Sequence, residues 1–181
     1  SLAGPIAVLK TNLPRKNSTF SDTKNKLYPY PNIRTCIIDN LQSKLIINYS
    51  NTPQAFCGKS KLVMAHKMYG FPYLDMSGTF GISNRDNYVI CDRTNEDMEI
   101  MKAFLSTKTA LYLFESTRYR MKYLEKYAFE LIPDITRLAD FPDIINDTTI
   151  ADYFGFDELD RQNINALHRK DYIFTPIENY P

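Results

Sequence analysis

The apolar pattern of this chain changes its period at Thr94, and few folds accommodate such a change. Before that point the apolar runs are short: Arg34 to Asp39, Lys44 to Tyr49, Leu62 to Ala65, and Tyr88-Val89-Ile90. Turn-forming residues bound them, as in Asp39-Asn40-Leu41-Gln42-Ser43 and Gly70-Phe71-Pro72. Short apolar runs punctuated this way read as strands, the first two joined as a hairpin. Residues 10–32 are polar and end in Tyr28-Pro29-Tyr30-Pro31, where proline favours extended backbone, so a loop leads into the first long strand. The stretch "YLDMSGTFGISNRDNYVICD" reads as two short strands around a glycine-containing turn, with a polar tip at Ser83 to Asn87.

From Thr94 onward the spacing becomes helical. Thr94 and Asn95 suit an N-cap, and Glu96 and Asp97 suit the first turn, where the helix dipole favours anions. Met98, Met101, Phe104 and Leu105 then share one helix face. Ser106-Thr107 reads as a break or a second cap. The stripe resumes at Ala110, Leu113, Phe114, Thr117, Met121 and Leu124, which predicts two consecutive helices rather than one rod. Ile150 to Phe154 followed by Gly155 predicts a short helix with a glycine stop, and Asp157 opens another that runs to about His168. The expected fold class is therefore α+β, a strand-rich N-terminal half packed against a helical C-terminal half.

The 181 residues, 44% of them hydrophobic, fit one domain able to bury a core. No apolar stretch approaches the roughly 20 residues that cross a bilayer, and no signal-peptide pattern opens the chain. Ser1 at the first position suggests an excised or processed fragment. Cys36, Cys57 and Cys91 form no CxxC pair, which suits small buried side chains and reduced thiols in a cytoplasmic protein. The small net charge hides a division. Residues 1–126 hold 18 basic and 10 acidic residues, a balance of +8, whereas residues 127–181 hold 4 and 11, a balance of −7. Such asymmetry suggests a basic surface for an anionic partner and a separate acidic segment.

Catalytic chemistry leaves little trace. There is no GxxxxGK[ST] phosphate loop and no GxGxxG, and His66 and His168 lack Cys or His partners at metal-ligand spacing. Cys57 and His66 read as structural rather than as a nucleophile and its base. Asp75 and Asp86 read as turn or cap residues. The stronger signal is basic and aromatic. "STRYRMKYLEKY" interleaves Arg118, Arg120, Lys122 and Lys126 with Tyr119, Tyr123 and Tyr127. As a helix it aligns Arg118, Lys122 and Lys126; as a strand it aligns Arg118, Arg120 and Lys122. Either row suits phosphate contact beside stacking rings. Lys59, Lys61 and Lys67 form a second basic cluster, next to the glycine turn.

Taken in order, "YPYPNIRTCIIDN", "KSKLVMAHKMYGFPYLDMSGTFGISNRDNYVI", "EIMKAFLSTKTALYLFESTRYRMKYLEKY", "ELIPDI" and "TTIADYFGFDELDRQNINAL" resemble one family. It is the C-terminal target-recognition region of Eco57I-like adenine-specific DNA methyltransferases and fused restriction-modification enzymes. The matching features are a lysine before the Leu62–Ala65 strand, a D-x-x-G-x-[FY]-G turn at Asp75, Gly78, Phe80 and Gly81, an L-x-S helix end at Leu105-Ser106-Thr107, a Pro133-Asp134 linker, and a closing tail from Ile150 to Ile164. The resemblance covers about residues 28 to 167. It divides the chain into a polar lead-in (1–27), a recognition-like α+β domain (28–132) and an acidic helical tail (133–181).

The cofactor-binding glycine motif and the Asn-Pro-Pro-Tyr motif of that family are not in this sequence, and the segment after Asp86 lacks the family's run of small polar residues. The resemblance thus implies a part that binds double-stranded DNA and does not itself methylate, with S-adenosylmethionine held by a separate catalytic domain. The Asp-x-x-Gly-x-Phe-Gly turn would be scaffold that presents its polar tip outward. Asn84, Arg85 and Asn87 are the expected base contacts, because Asn and Arg pair with adenine and guanine edges in the major groove. Lys59, Lys61, Lys67, Arg118, Arg120 and Lys122 are the expected phosphate contacts. Two other readings stand beside this one. One is a protein-interaction module that docks a methyltransferase or nuclease partner through its acidic tail. The other is a nuclease using dispersed carboxylates, although no PD…(D/E)xK pattern is present.

Overall fold

The computed structural model describes residues 3–12, 14–39, 42–67, 71–117 and 123–167. Among them the strands are β1 (Leu9–Lys10), β2 (Phe20–Ser21), β3 (Tyr30–Asp39), β4 (Gln42–Ser50), β5 (Lys61–Ala65), β6 (Tyr73–Asp75), β7 (Gly81–Ile82) and β8 (Asn87–Cys91). The helices are α1 (Asn95–Leu105), α2 (Lys108–Ser116), α3 (Asp147–Phe154) and α4 (Glu158–Asn165), with 3-10 turns at Lys126–Leu131 and Ile135–Arg137. The class is α+β, strands first and helices after.

The strands form two four-stranded sheets, ordered β1-β8-β5-β6 and β2-β4-β3-β7. Every residue of β5 is buried, because its sheet is the middle layer of three. Leu62, Met64, Tyr88 and Ile90 face the helices and pack with Met101, Phe104, Leu111 and Phe114. Val63 and Val89 face the other sheet and pack with Ile33, Cys36 and Ile82. Alternate residues of a strand point to opposite faces, so a strand covered on both sides is apolar throughout and shows no amphipathic alternation. Cys36 sits in the inter-sheet core, where burial pushes its thiol up to about 12.

The helix signals work as their chemistry requires. Thr94 Oγ1 accepts the Asp97 N–H and caps α1, and Thr107 Oγ1 accepts the Ala110 N–H and caps α2. Asn146 and Asp157 open α3 and α4 with capping boxes, and Gly155 ends α3 in the left-handed region at φ 67°. α2 stops at Ser116, however, and Leu124 enters the core from a segment that is not helical.

β3 and β4 form the expected hairpin, paired from Tyr30↔Ser50 to Asp39↔Gln42 with an irregularity between Ile33 and Thr35. The two strands read around the glycine turn do not pair with each other. β6 and β8 lie on either side of β5, and β7 leaves to pair parallel with β3 in the other sheet. Periodicity located β6 and β8 but not the two-residue β7, and it carries no information on which neighbour a strand chooses.

The first residues belong to the same body. Ile6 N–H donates to Ile132 O at 2.9 Å, Asp134 N–H donates to Gly4 O at 2.8 Å, and Leu9 pairs with Val89. Ile6 and Val8 share one core with Ile132, Ile135 and Ile150. No helix among the described residues is long and apolar enough to cross a membrane.

Candidate nucleic-acid interface

The Asp75 turn is a clamp. Asp75 Oδ1 accepts the Thr79 N–H at 3.0 Å, and Oδ2 accepts the Phe80 N–H at 2.9 Å. Oδ2 also receives Lys61 Nζ at 2.5 Å, and the same ammonium donates to Lys59 O at 3.1 Å. Asp75 is 2% exposed and Lys61 0%, so this ion pair is fully desolvated. Burial lowers the Lys61 pKa, and the hydrogen bond that Lys61 donates to Asp75 works against that shift. Gly78 adopts φ +69°, and a Cβ there would lie 2.7 Å from Gly58 C and Lys59 N. At Gly81 a Cβ would lie 2.5 Å from Asn32 Oδ1. Phe80 packs on the inter-sheet core, edge-to-face with Tyr73. Each marked position of D-x-x-G-x-F-G thus has a structural task, as a scaffold would require.

The structure separates the expected contact residues. Lys61 is no phosphate contact: its charge is buried on Asp75, and no surface phosphate can reach it. Asn87 is no base contact either. It is fully buried, and its Nδ2 donates to Arg34 O and Asn84 O, stitching the two sheets together. Asn84 is half-buried and forms an Asx turn, its Oδ1 accepting the Asp86 N–H at 3.2 Å. Arg85 alone stands out from the tip, with its side chain 69% exposed. Lys59 is also exposed, its Nζ 3.2 Å from Asp92 Oδ1. Arg118, Arg120 and Lys122 lie outside the described residues.

Lys59 does not stand beside the tip. β5 pairs Lys61 with Cys91 at one end and Ala65 with Asn87 at the other. At about 3.3 Å per residue those ends are about 13 Å apart, and Lys59 and Arg85 each lie beyond opposite ends. Lys67 is at the Arg85 end, together with Tyr123, one of the rings singled out in the sequence, and with two residues not expected as contacts, Lys10 and His66. The His66 ring stacks on Tyr123 with centroids 4.9 Å apart and planes 18° apart, and Tyr123 keeps 38% of its surface exposed. Asp86 Oδ1 lies 3.9 Å from His66 Nδ1 and 4.0 Å from Arg85 Nε. Burial chiefly lowers the His66 pKa, the charge of Lys10 lowers it further, and Glu125 and Asp86 pull it back. The ring is therefore neutral at pH 7, a planar partner rather than a fixed cation.

Lys10 reaches this end because β1 pairs with β8, opposite Tyr88. Tyr123 reaches it because Leu124 N–H donates to His66 O at 2.7 Å, and Tyr88 Oη donates to Leu124 O at 2.8 Å. These are long-range pairings, and no local motif marks them. Among the described residues no group of three His, Cys, Asp or Glu side chains is placed to hold a metal. No protein-family model, no curated protein and no solved structure matches this chain.

Proposed function

We propose that this chain is the DNA-recognition part of an adenine-specific DNA methyltransferase or restriction-modification enzyme, binding duplex DNA through the sheet end around Arg85. One observation supports the reading above the rest: Lys10, Lys67 and Arg85 gather around a stacked His66–Tyr123 pair whose outer ring is exposed. Cations beside a planar ring suit phosphate and base surfaces together. In this reading Lys10 and Lys67 contact phosphates and set register. Arg85, whose two-pronged guanidinium matches guanine O6 and N7, reads sequence with help from Asn84. Methyl transfer and S-adenosylmethionine belong to a catalytic domain that this part would orient on its site.

The test is fluorescence anisotropy with a random-sequence duplex titrated across salt. Binding should fall steeply with salt, and the Lys10→Glu/Lys67→Glu variant should lose affinity for every sequence alike. Arg85→Ala should instead change preference among a set of duplexes. Parent-like binding by both variants would remove this surface from consideration, and no binding at low salt would remove the DNA reading for the isolated chain.

A further inference from the structure

A groove on the helical side of the molecule has a different chemistry. It is open, about 420 Å³ in volume, and lies between α1 and the chain from Ile135 to Asp143. That size falls in the range of about 300–1,000 Å³ typical of ligand-holding clefts. Its floor is apolar, made by Ile100, Leu138, Phe141 and Pro142. Phe141 is held by ring contacts to Phe104, Tyr153 and Phe154, with centroids 6.4, 5.0 and 6.3 Å away. α1 is fixed by Met98, Met101 and Phe104 in the core, so the walls are preformed.

The rim is anionic. Glu96, Glu99 and Asp143 line it, all three are exposed, and none forms an ion pair among the described residues. The nearby guanidiniums do not neutralise them. Arg93 Nη2 and Arg137 Nε both turn onto Asp134 Oδ2, at 2.5 and 3.2 Å. An apolar floor ringed by unpaired carboxylates repels nucleic acid and complements a cation with a greasy anchor.

The geometry points to a docking groove for a basic peptide segment of a partner polypeptide. An aliphatic or aromatic side chain of that segment seats against Phe141 and Leu138. Lys or Arg side chains flanking the anchor reach Glu96 and Glu99 on α1 and Asp143 across the groove. None of these residues belongs to the proposed DNA surface, so the two assignments stand or fall separately.

The probe is a fluorescein-labelled peptide, Lys-Phe-Arg-Leu-Lys-Phe-Arg, titrated against the full chain. Two control peptides replace Phe and Leu by Ser, or Lys and Arg by Glu. The first peptide should bind at least tenfold tighter than either control. The Glu96→Gln/Glu99→Gln/Asp143→Asn variant should weaken it tenfold or more, with an unchanged circular dichroism spectrum and a cooperative thermal transition well above the assay temperature. Equal binding by that variant, or by the Ser control, would overturn the assignment, as would no binding at millimolar peptide. Sedimentation that showed a self-association abolished by the same variant would seat a second copy of this chain in the groove, and so overturn the partner-peptide reading.

Discussion

Two lysines, two residues apart, show how little side-chain type decides by itself. Lys59 and Lys61 look alike in the sequence, yet one is 55% exposed and the other 0%. Lys61→Met leaves the Asp75 carboxylate buried without its cation and should cost about 3–5 kcal/mol in urea unfolding. Lys59→Ala, at an exposed pair, should stay within about 1 kcal/mol of the parent. Strand period could have flagged the difference, since Lys61 opens a run that is buried on both faces, whereas Lys59 precedes it. His66 gives a second residue-scale expectation. Its folded pKa is lowered, so its contribution is complete above the ordinary value near 6.5 and is lost as pH falls from there through the folded value. Stability should drop as pH falls below about 6.5, by at most about 1.4 kcal/mol per pH unit from this group. Thermal melts of His66→Gln should show a correspondingly shallower pH dependence.

At the scale of elements, caps were the most legible feature and partners the least. Thr94, Thr107, Asp157 and Gly155 act at helix ends as expected, because capping is a contact within one turn of the chain, whereas α3 starts three residues before the expected Ile150, with Asn146 as its cap. β6 and β8 are visible as short strands and β7 is not, and the partners of all three are hidden, because pairing is decided by chain segments far away in sequence. Asp147 shows the same divide. It lies in the first turn of α3, and its carboxylate also accepts the Lys108 N–H, the Thr109 N–H and the Thr109 hydroxyl at the start of α2, a contact that no local pattern marks. Asp147→Ala removes hydrogen bonds to a charged acceptor and should destabilise by about 1.5–3 kcal/mol. Equilibrium unfolding checks this, and Asp147→Asn should recover part of the loss.

Over the whole molecule the charge division along the chain explains one candidate surface and not the other, since Glu96 and Glu99 of the anionic groove lie in the basic part of the sequence. The proposed DNA-facing end draws on Lys10, Lys67 and Arg85, and the groove on Glu96, Glu99 and Asp143. A salt titration should therefore weaken both kinds of binding while leaving the fold intact, since the core beneath them is apolar. The hidden part was closure. Ile6 and Val8 look like part of a polar lead-in, yet they complete the core. Deleting residues 1–11 should lower the thermal midpoint and expose β8 amides to hydrogen exchange, because Leu9 and Lys10 cover the free edge of that strand.

This closure also fixes an order of events as the chain is made. The partners of Gly4 and Ile6, residues 132 and 134, leave the ribosome more than a hundred residues later. Contacts that span so much chain form slowly. Until they form, the nascent protein carries Ile6 and Val8 uncovered beside an open sheet edge, the state in which a folding helper or an aggregating neighbour would meet it.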